Sequence, residues 1–587
     1  MANLTQTIPD YLGGVSKFPD DKKAPGELKD CLNGYPDPTF GMTKRPGFKH
    51  IKSIGTSETE FQNGKWFHIH RDGDETYIGC IKGAAVRVWN VSAATPVECT
   101  ITNGTNATNY LTGTKATDYD FVTIQDTSIL TNRTVTTALT AAPSFTANTQ
   151  GTVFIKQVLN STAYTVTVNS TNVTFTSDAT ATIAEIIAGL KSAFDSAAIS
   201  GLTVTTQDTT LELVKTAAFD LKVTAGADDS AVFVYQDAVT TFTDLPARAK
   251  HGRVVQILNT DINEDDYYVK FQGNNDTDGA GNWVETIAPD VPTGFDAATM
   301  PHELVNTALN AFTFRQVTWD PRNVGDLVTN NNPSFIGKKL EQCFFHSNRL
   351  GFLSRDNIIF SQAGEFYSFF KSSARLQIDS DPIDVNVSSV RPVVLHGAKS
   401  TVQGLLLFSK DQQFLLFSLN GPLTPSTVSV NAVSNYEMDT LIDPVDMGTS
   451  LIFVSKTPGF TRIYSMHTKG QEANPQVDDI GKNVAEWIPA TIDNLITSPQ
   501  NQFIALYGTT KNDLYFYRTY SRAMAYYNPE GRDQILNAWF RWKLPGEVQF
   551  VVVDSDLMYA VTTQGGEYTI LSASINQTPE ETVLVNS

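Results

Sequence analysis

The stretch that decides the fold lies near the end of the chain, at residues 550–571, FVVVDSDLMYAVTTQGGEYTIL. Three short apolar runs, at 550–553, 557–561 and 568–571, are separated by Asp, Ser and Gly. Short runs rich in β-branched and aromatic residues, bounded by turn-forming residues, are typical of strands joined by tight turns. This stretch therefore predicts consecutive antiparallel strands.

The same pattern recurs through the C-terminal third of the chain. Further apolar runs lie at 451–454, 462–466, 503–507, 514–517 and 538–542. A spacing of roughly ten residues with turn signals indicates an antiparallel sandwich, barrel or propeller. We favour the propeller because it accommodates many strands without long exposed edges. The predicted fold class is mainly β, with a propeller-like antiparallel β core and small inserted β or α+β domains.

Composition narrows the possible functions. The chain has 587 residues, of which 41% are hydrophobic, which is enough for real cores. Its 43 Lys and Arg residues against 62 Asp and Glu give a net charge of −19, the wrong sign for a broad phosphate-binding surface. The four cysteines are scattered and form no CxxC pair, and the first residues do not resemble a signal peptide. We expect a soluble, acidic protein made in a reducing cytoplasm.

A change in composition predicts an inserted domain. No Trp occurs between Trp89 and Trp283, and much of that interval is rich in Thr, Ala, Asn and Val with few charges. The predicted domains are 1–89 as the N-terminal part of the β core, 90–245 as an inserted Thr/Ala-rich β domain with one helix, 246–340 as a connecting β region, and 341–587 as the propeller-like β core.

Two elements of this insert can be placed from the sequence. Alternating apolar and polar residues from Tyr164 to Phe175, interrupted by a polar turn at 170–172, predict a β-hairpin. Thr182 and Glu185 fit a capping box at the start of a helix. The apolar face of that helix has helical spacing and comprises Ile183, Ile186, Ile187, Leu190 and Phe194.

One acidic loop matches a metal-binding template. The residues are Asn274, Asp276, Asp278 and Glu285, which fit an EF-hand calcium loop apart from Asn at its first position. The flanking segments, 267–271 and 283–287, look like strands rather than helices, and Gly281 stands where an apolar residue is usual. A polar hairpin loop is therefore the favoured interpretation, with calcium as a weak alternative.

Other candidate sites are weaker. His68 and His70 would lie on one face of a strand, but no third metal ligand can be named, so we interpret them as a solvent-facing pair. Carboxylates cluster at 264–266 and at 379–384, and a glycan-degrading enzyme would need two of them across a sugar cleft. Exposed acidic turns explain them more simply. The sequence assigns no catalytic residue and no cofactor, and we expect no enzymatic activity.

Several ordered stretches carry a family resemblance. At the start they are IPDYLGGVS at 8–16, APG at 24–26, NGYP at 33–36 and GMTKRP at 41–46. In the middle they are EDDYYVKF at 264–271, GFDAATMP at 294–301, PSFIGK at 333–338, NRLGFLS at 348–354 and SQAGEFY at 361–367. Near the end they are AWFRW at 538–542 and LPG at 544–546. Together they resemble the tail nozzle proteins, or tail tubular proteins B, of short-tailed podovirus phages.

The resemblance implies a function that composition alone does not. It implies a structural subunit of a homohexameric ring at the distal end of the virion tail, assembled in the host cytoplasm. The ring would sit below the adaptor (tail tubular A) ring, carry or abut the tail fibres, and let double-stranded DNA pass without specific binding. A receptor-binding or glycan-degrading tail protein is the alternative, with the host cell surface as a possible partner.

Two further expectations concern shape and charge. The N-terminal segment through Pro46 should pack with the C-terminal half, because a closed ring of sheets needs strands from both ends of the chain. The channel should be acidic or of mixed charge rather than lined by Lys and Arg, because tight phosphate binding would slow the passage of DNA.

Overall fold

The computed structural model describes residues 10–56, 58–93, 95–226, 229–258, 266–419, 421–467, 475–509, 511–523 and 532–576. Strands hold 49% of the residues and helices 7%, which confirms the predicted mainly β class. Ile8, Pro9, Glu264 and Asp265, which belong to the stretches quoted above, lie outside the described residues.

The N-terminal part forms a small hairpin and a four-stranded antiparallel sheet. Its elements are β1 (Gly34–Asp37), β2 (Gly41–Lys44), β3 (Lys49–Gly55), α1 (Glu58–Phe61), β4 (Lys65–His70), β5 (Thr76–Lys82), β6 (Ala85–Asn90) and β7 (Val97–Glu98). β1 pairs with β2, and β4 to β7 pair in sequence order. β5 is buried over nearly its whole length because other sheets pack on both of its faces.

The middle of the chain holds four sheets and the one long helix among the described residues. Its elements are β8 (Thr100–Asn103), β9 (Tyr119–Ile124), β10 (Thr127–Asn132), β11 (Gln150–Ile155), β12 (Ala163–Val168), β13 (Thr171–Thr176), α2 (Ile183–Ala197), β14 (Leu202–Gln207), β15 (Thr210–Lys215), β16 (Leu221–Ala225), β17 (Val232–Tyr235), β18 (Ala238–Val239), β19 (Arg248–Ala249), β20 (Val254–Ile257), β21 (Tyr267–Gly273), β22 (Gly279–Thr286), β23 (His302–Ala308) and β24 (Ala311–Gln316). The sheet orders are β8-β24-β23-β10-β9, β14-β15-β11-β17, β13-β12-β16 and β18-β20-β21-β22-β19.

The C-terminal part consists of antiparallel strands in sequence order. They are β25 (Gln342–His346), β26 (Arg349–Ser354), β27 (Asn357–Phe360), β28 (Ile383–Asn386), β29 (Leu395–Thr401), β30 (Gly404–Ser409), β31 (Gln413–Ser418), β32 (Val428–Ser434), β33 (Val445–Asp446), β34 (Leu451–Lys456), β35 (Thr461–His467), β36 (Gln476–Asp479), β37 (Asn494–Ser498), β38 (Phe503–Tyr507), β39 (Lys511–Ala523), β40 (Arg532–Asp554), β41 (Leu557–Gln564) and β42 (Glu567–Ser574). β25–β28, β29–β32 and β33–β36 are four-stranded sheets, and β37–β42 join β3 in a seven-stranded sheet.

The long strand β40 pairs with β39 over one part of its length and with β41 over another. Residues up to Lys543, together with Val548, pair with β39, and residues from Glu547 pair with β41. Between them, Pro545 has no N–H to donate, and Gly546 has a φ of 114° with the carbonyl oxygen of Thr563 only 2.6 Å from where a Cβ would stand. The register between β40 and β39 shifts across this Pro-Gly step, beyond which β40 also pairs with β41.

Buried clusters fill the space between consecutive sheets. The β4–β7 sheet packs on the sheet of β9, β10, β23 and β24, which packs on β25–β27. From there β25–β28 pack on β29–β31, these pack on β34 and β35, and those pack on β37–β40. The last strands, β40–β42 with β3, pack back on β4–β6. This closed order is consistent with the predicted propeller-like core.

The two ends of the described chain are in direct contact, as predicted. β3 pairs with β42 from Lys49 opposite Ser572 to Gly55 opposite Tyr568. Upstream of β3, the amide of Val15 donates to the carbonyl oxygen of Trp539 over 2.7 Å. The N-terminal segment therefore completes the C-terminal sheet, and this prediction is confirmed.

The predicted joints at 90 and 246 are wrong. β8, β9 and β10 share a sheet with β23 and β24, and Leu130 lies opposite His302. At the second joint, β18 pairs with β20, so one sheet crosses residue 246. Composition is a local property of the sequence. These pairings instead join strands that lie far apart in sequence. The core sheets are therefore not confined to 1–89 and 341–587, and the Thr/Ala-rich composition placed both joints incorrectly.

The local predictions inside the insert are confirmed. The hairpin of β12 and β13 places Tyr164 opposite Phe175. Helix α2 begins after Thr182, whose hydroxyl accepts from the amide of Glu185, while the Glu185 carboxylate accepts from the amide of Thr182. Ile186 and other apolar residues of the helix pack on strands β11–β16 in a cluster of their own.

The contact between the chain ends predicts the effect of one substitution. Gly14 has a φ of 67°, and an added Cβ would lie 2.5 Å from the Cα of Ala538. We expect Gly14→Ala to lower the free energy of unfolding by about 2–4 kcal/mol, combining left-handed strain with a backbone clash. Urea unfolding followed by tryptophan fluorescence measures the change.

Gly47→Ala is the matched control, because Gly47 has no positive φ and no atom lies within 4 Å of the place that a Cβ would take. Equal stability of the two variants would contradict the close packing of the chain ends.

Candidate functional site

Charged side chains from several sheets lie within electrostatic range of Asp443, a half-buried residue just before β33. Lys65 starts β4, Arg133 follows β10, and His396 and Lys399 belong to β29. All four are near enough to Asp443 to act on its ionisation. The first strands of these sheets also lie side by side, since β4 packs on β9, β9 on β25, and β25 on β29. We call this group, with Asp120 and Glu341, the axial cluster.

Asp120 anchors one side of the axial cluster. Its carboxylate accepts from the amide of Cys343 over 2.7 Å and lies 3.8 Å from an Arg133 guanidinium nitrogen. Arg133 also donates to the carbonyl oxygen of Glu341, whose carboxylate lies 3.5 Å from the His396 ring. Burial raises the pKa of Asp120 in spite of the nearby Arg133.

The pKa of Asp443 shifts in the opposite direction, below its ordinary value. Burial acts to raise the pKa of its carboxyl group, but Arg133, Lys65, Lys399 and His396 together lower it. Asp443 is therefore held as an anion among cations that come from three different sheets. These interactions therefore run between sheets rather than within one sheet.

A second group of charges lies where the first sheet meets the last strands. The Nδ1 atom of His70 lies 2.8 Å from a carboxylate oxygen of Asp554, and the Nε2 atom of His68 lies 3.6 Å from the same oxygen. The His68 side chain is only 15% exposed. The predicted solvent-facing pair is therefore wrong for His68, because Asp554, remote in sequence, covers this face of β4.

The predicted calcium loop forms a hairpin turn between β21 and β22. Asn274 and Asp276 belong to a single 3-10 turn, and Gly273 lies opposite Gly281 in the two strands. Asp278 is engaged elsewhere, since its carboxylate accepts from the amide of His251 over 2.8 Å. The favoured interpretation, a polar hairpin loop, is confirmed.

Glu285 is the residue that excludes the EF-hand arrangement. It lies four residues beyond Gly281 along β22, or about 13 Å from the turn at the rise of a strand. Its carboxylate instead accepts from the hydroxyl of Ser373 over 3.0 Å and from the amide of Ala374 over 2.6 Å. Glu285 therefore fastens the β21–β22 hairpin to a loop of the core and does not adopt the position that it would have in an EF-hand.

Two of the carboxylates at 379–384 stabilise loops of the core. Asp381 is buried and accepts from the hydroxyl of Ser372, and Asp384 accepts from the hydroxyl of Ser334 over 2.7 Å. Asp379 is exposed and contributes its backbone carbonyl to a buried arginine. Asp381 and Asp384 are thus engaged within the chain rather than facing each other across a cleft.

That arginine is Arg349, which no sequence pattern singles out. Its side chain is fully buried, and its guanidinium donates to the carbonyl oxygens of Ser361, Asp379, Asp381 and Leu423. Arg349 thus joins the stretch at 348–354 to the stretch at 361–367. A buried Arg with multiple carbonyl partners fixes the path of a loop more firmly than a single hydrogen bond does.

Three observations bear on chemistry and location. Within the part of the chain that the structure describes, no group of three or more His, Cys, Asp or Glu side chains is placed to hold a metal ion. The four cysteines are buried and carry no disulfide. Among the described helices, none has the length and apolar character to cross a bilayer.

The geometry so far is that of a protein made of many β-sheets packed on one another, with charged groups between several of them. The family model described as bacteriophage nozzle protein matches residues 1–585. The chain therefore belongs to the bacteriophage nozzle protein family, and the resemblance drawn from the sequence is confirmed. Membership supports a structural role in a phage tail.

Individual relatives are more distant. The chain is 26% identical over 578 residues to tail tubular protein gp12 of Escherichia phage T7, covering 94% of this chain and 70% of that protein. Among solved structures, Kluyveromyces lactis Hsv2p aligns at 8% identity over 49% of this chain and 72% of its own, with a TM-score of 0.27. A quinonprotein alcohol dehydrogenase-like protein of Bacteroides thetaiotaomicron aligns at 10% identity over 76% and 92%, also with a TM-score of 0.27. These two likenesses carry no argument about fold or function.

The axial cluster predicts a salt-dependent loss of stability. Replacing Asp443 with Asn removes one of the two acidic groups that interact with Arg133 and Lys65, and Asp120 remains beside them. We expect a loss of about 1 kcal/mol or less in the free energy of unfolding, because Asp443 and its cationic neighbours are half-buried and partly screened by solvent. The loss should be smaller in 1 M salt than in 0.05 M salt. Urea unfolding at both salt concentrations measures it.

The control is Asp411→Asn, which removes an exposed carboxylate outside the cluster. A variant at 443 as stable as this control at both salt concentrations would show that Asp443 does not link the sheets.

Proposed function

We propose that the chain is the structural subunit of a nozzle at the distal end of a short, podovirus-type phage tail. In this proposal, six copies form a ring that closes the tail end and conducts the double-stranded DNA genome during ejection. The observation that carries it is the family match over residues 1–585. The mainly β class and the absence of a metal cluster among the described residues are compatible with it.

The proposed partners follow from this position in the virion. The ring lies below an adaptor ring of tail tubular A type and contacts the tail fibres, and it meets the host cell surface when infection begins. The subunits assemble in the host cytoplasm. The chain uses no cofactor and has no enzymatic activity in this proposal, which fits the engagement of Asp381 and Asp384 in loop contacts.

The charge of the chain supports passage rather than binding of DNA. A ring that neutralised many phosphates would hold the duplex tightly at low salt and slow its exit. With 62 acidic against 43 basic residues, this chain repels the duplex overall. That repulsion is screened beyond about 8–10 Å at physiological ionic strength, so it centres the duplex without acting far along it.

The first test is assembly. We expect the purified full-length chain, alone or with its adaptor ring, to form particles of six copies with a central opening in negative-stain images and native mass spectrometry. Six subunits of 64.3 kDa are easily distinguished from three. Elongated trimers, or release of sugars from host capsule by the purified protein, would favour a receptor-binding or glycan-degrading tail protein instead.

The second test is DNA affinity. We expect the assembled ring to bind a blunt duplex of about 50 base pairs weakly at 50 mM salt, with little further loss at 200 mM. A protein with 6–10 phosphate contacts would lose roughly 10³–10⁵ in affinity over that range. Fluorescence anisotropy measures both values, and single-stranded DNA of the same length serves as the comparison. Nanomolar binding with a steep salt slope would contradict the proposed passage without grip.

A further inference from the structure

The interface between the β4–β7 sheet and strands β40–β42, which we call the seam, combines an aromatic interior with a polar groove. Its interior is an aromatic core that includes Phe61, Trp66, Trp89 and Tyr568. At one end it opens into a groove of about 730 Å³, lined by residues of β3, β5, β40, β41 and β42 and by loops next to them. His70 and Asp554 lie in this groove.

Two imidazoles converge on a single carboxylate at this seam. His70 Nδ1 lies 2.8 Å and His68 Nε2 lies 3.6 Å from the same oxygen of Asp554, to which the Thr76 hydroxyl also points over 3.5 Å. The Nε2 atom of His68 is buried without a hydrogen bond. One carboxylate balances one positive charge, so a second proton on the pair has no counter-charge in contact with it.

We propose that His68, His70 and Asp554 form a proton-operated latch: the seam is closed while the two imidazoles carry at most one proton, and it opens locally when both are protonated. The latch joins β4 in the first sheet to β40 in the last one. It is independent of the proposed function, because it rests only on contacts within one chain.

Other ionisable groups around the latch do not supply the missing charge. They are Lys49 and His50 on β3, Arg71, Asp72, Asp74 and Glu75 in the turn after β4, Asp556 after β40, and Tyr559 on β41. Glu75 is engaged by Arg71 and by the Tyr77 hydroxyl, and His50 contacts Ser53. Among the described residues, Asp554 is the one acidic group within 4 Å of His68 or His70.

The direction of the effect follows from the preferred charge state of His68. Burial lowers the pKa of His68, a charge on His70 lowers it further, and Asp554 opposes both. The folded seam therefore binds fewer protons than the opened one. Its stability is complete above the ordinary histidine pKa of about 6.5 and falls as the pH drops.

Hydrogen–deuterium exchange of the full chain at pH 7.5, 6.5, 5.5 and 5.0 tests the latch. After correction for intrinsic exchange rates, we expect peptides covering β4 and β41 to exchange faster at low pH. The increase is at most about tenfold per pH unit, the limit set by one proton. Peptides covering β30 and β31, which lie in a distant sheet, are the internal reference and should change little.

Variants identify the responsible groups. His68→Gln removes the second proton site, so the acid-induced exchange at the seam should disappear. Asp554→Asn removes the single counter-charge, so opening should begin at higher pH. His50→Gln is the matched control, because His50 lies in the same groove and its ring is hydrogen-bonded to Ser53 rather than to Asp554, and it should keep the wild-type response.

The result that overturns the latch is an unchanged pH response in His68→Gln, or wild-type exchange at the seam that does not depend on pH. If His68→Gln fails to fold, His70→Gln tests the same point. In that variant His68 has Asp554 to itself, so opening should move to lower pH, and an unmoved midpoint contradicts the proposal.

Discussion

The pairing of β3 with β42 is the contact on which the rest of the structure depends. Without β3, the edge of β42 would present a row of unpaired backbone groups at the point where the last sheet packs on the first. The seam core then places Phe61 and Trp66, which follow β3, against Tyr568 and Phe550 of the last strands. One strand pairing thus positions a complete interface between the two ends of the chain.

Charges inside this protein act between sheets rather than within them. Asp443 interacts with cations from separate sheets. Arg349 donates hydrogen bonds to carbonyl oxygens of loops that follow different strands. Each buried charge therefore costs desolvation, which its partners offset only while the sheets stay in place. A chain with an excess of acidic residues at its surface still has a well-compensated interior, and the net charge of −19 says little about how the sheets are joined.

Local features of the fold could be predicted from the sequence, and remote ones could not. Helix α2 could be predicted because Thr182 and Glu185 form a capping box next to a single apolar face. The hairpin from Tyr164 was accessible because strand periodicity and turn residues are adjacent in sequence. The pairing of β10 with β23 joins residues about 170 positions apart, and no local signal marks it.

The same limit applies to the candidate sites. The spacing of His68 and His70 correctly placed both on one face of a strand, but the partner of that face, Asp554, comes from the other end of the chain. Glu285 matched a calcium template in sequence because a template measures spacing along the chain. A strand carries each residue about 3.3 Å further from the turn, so the template's twelfth position cannot return to its first.

The entropic cost of pairing β3 with β42 is smaller than their separation in sequence suggests. The loss of entropy on closing a loop grows only with the logarithm of its length, so a loop of about 500 residues costs roughly 2 kcal/mol more than one of about 50. One strand pairing with a buried aromatic core outweighs that difference. The larger consequence is for the folding rate, because pairings between distant segments slow folding. In the proposed latch, His68, His70 and Asp554 act on the contact between β4 and β40 and leave the pairing of β3 with β42 in place.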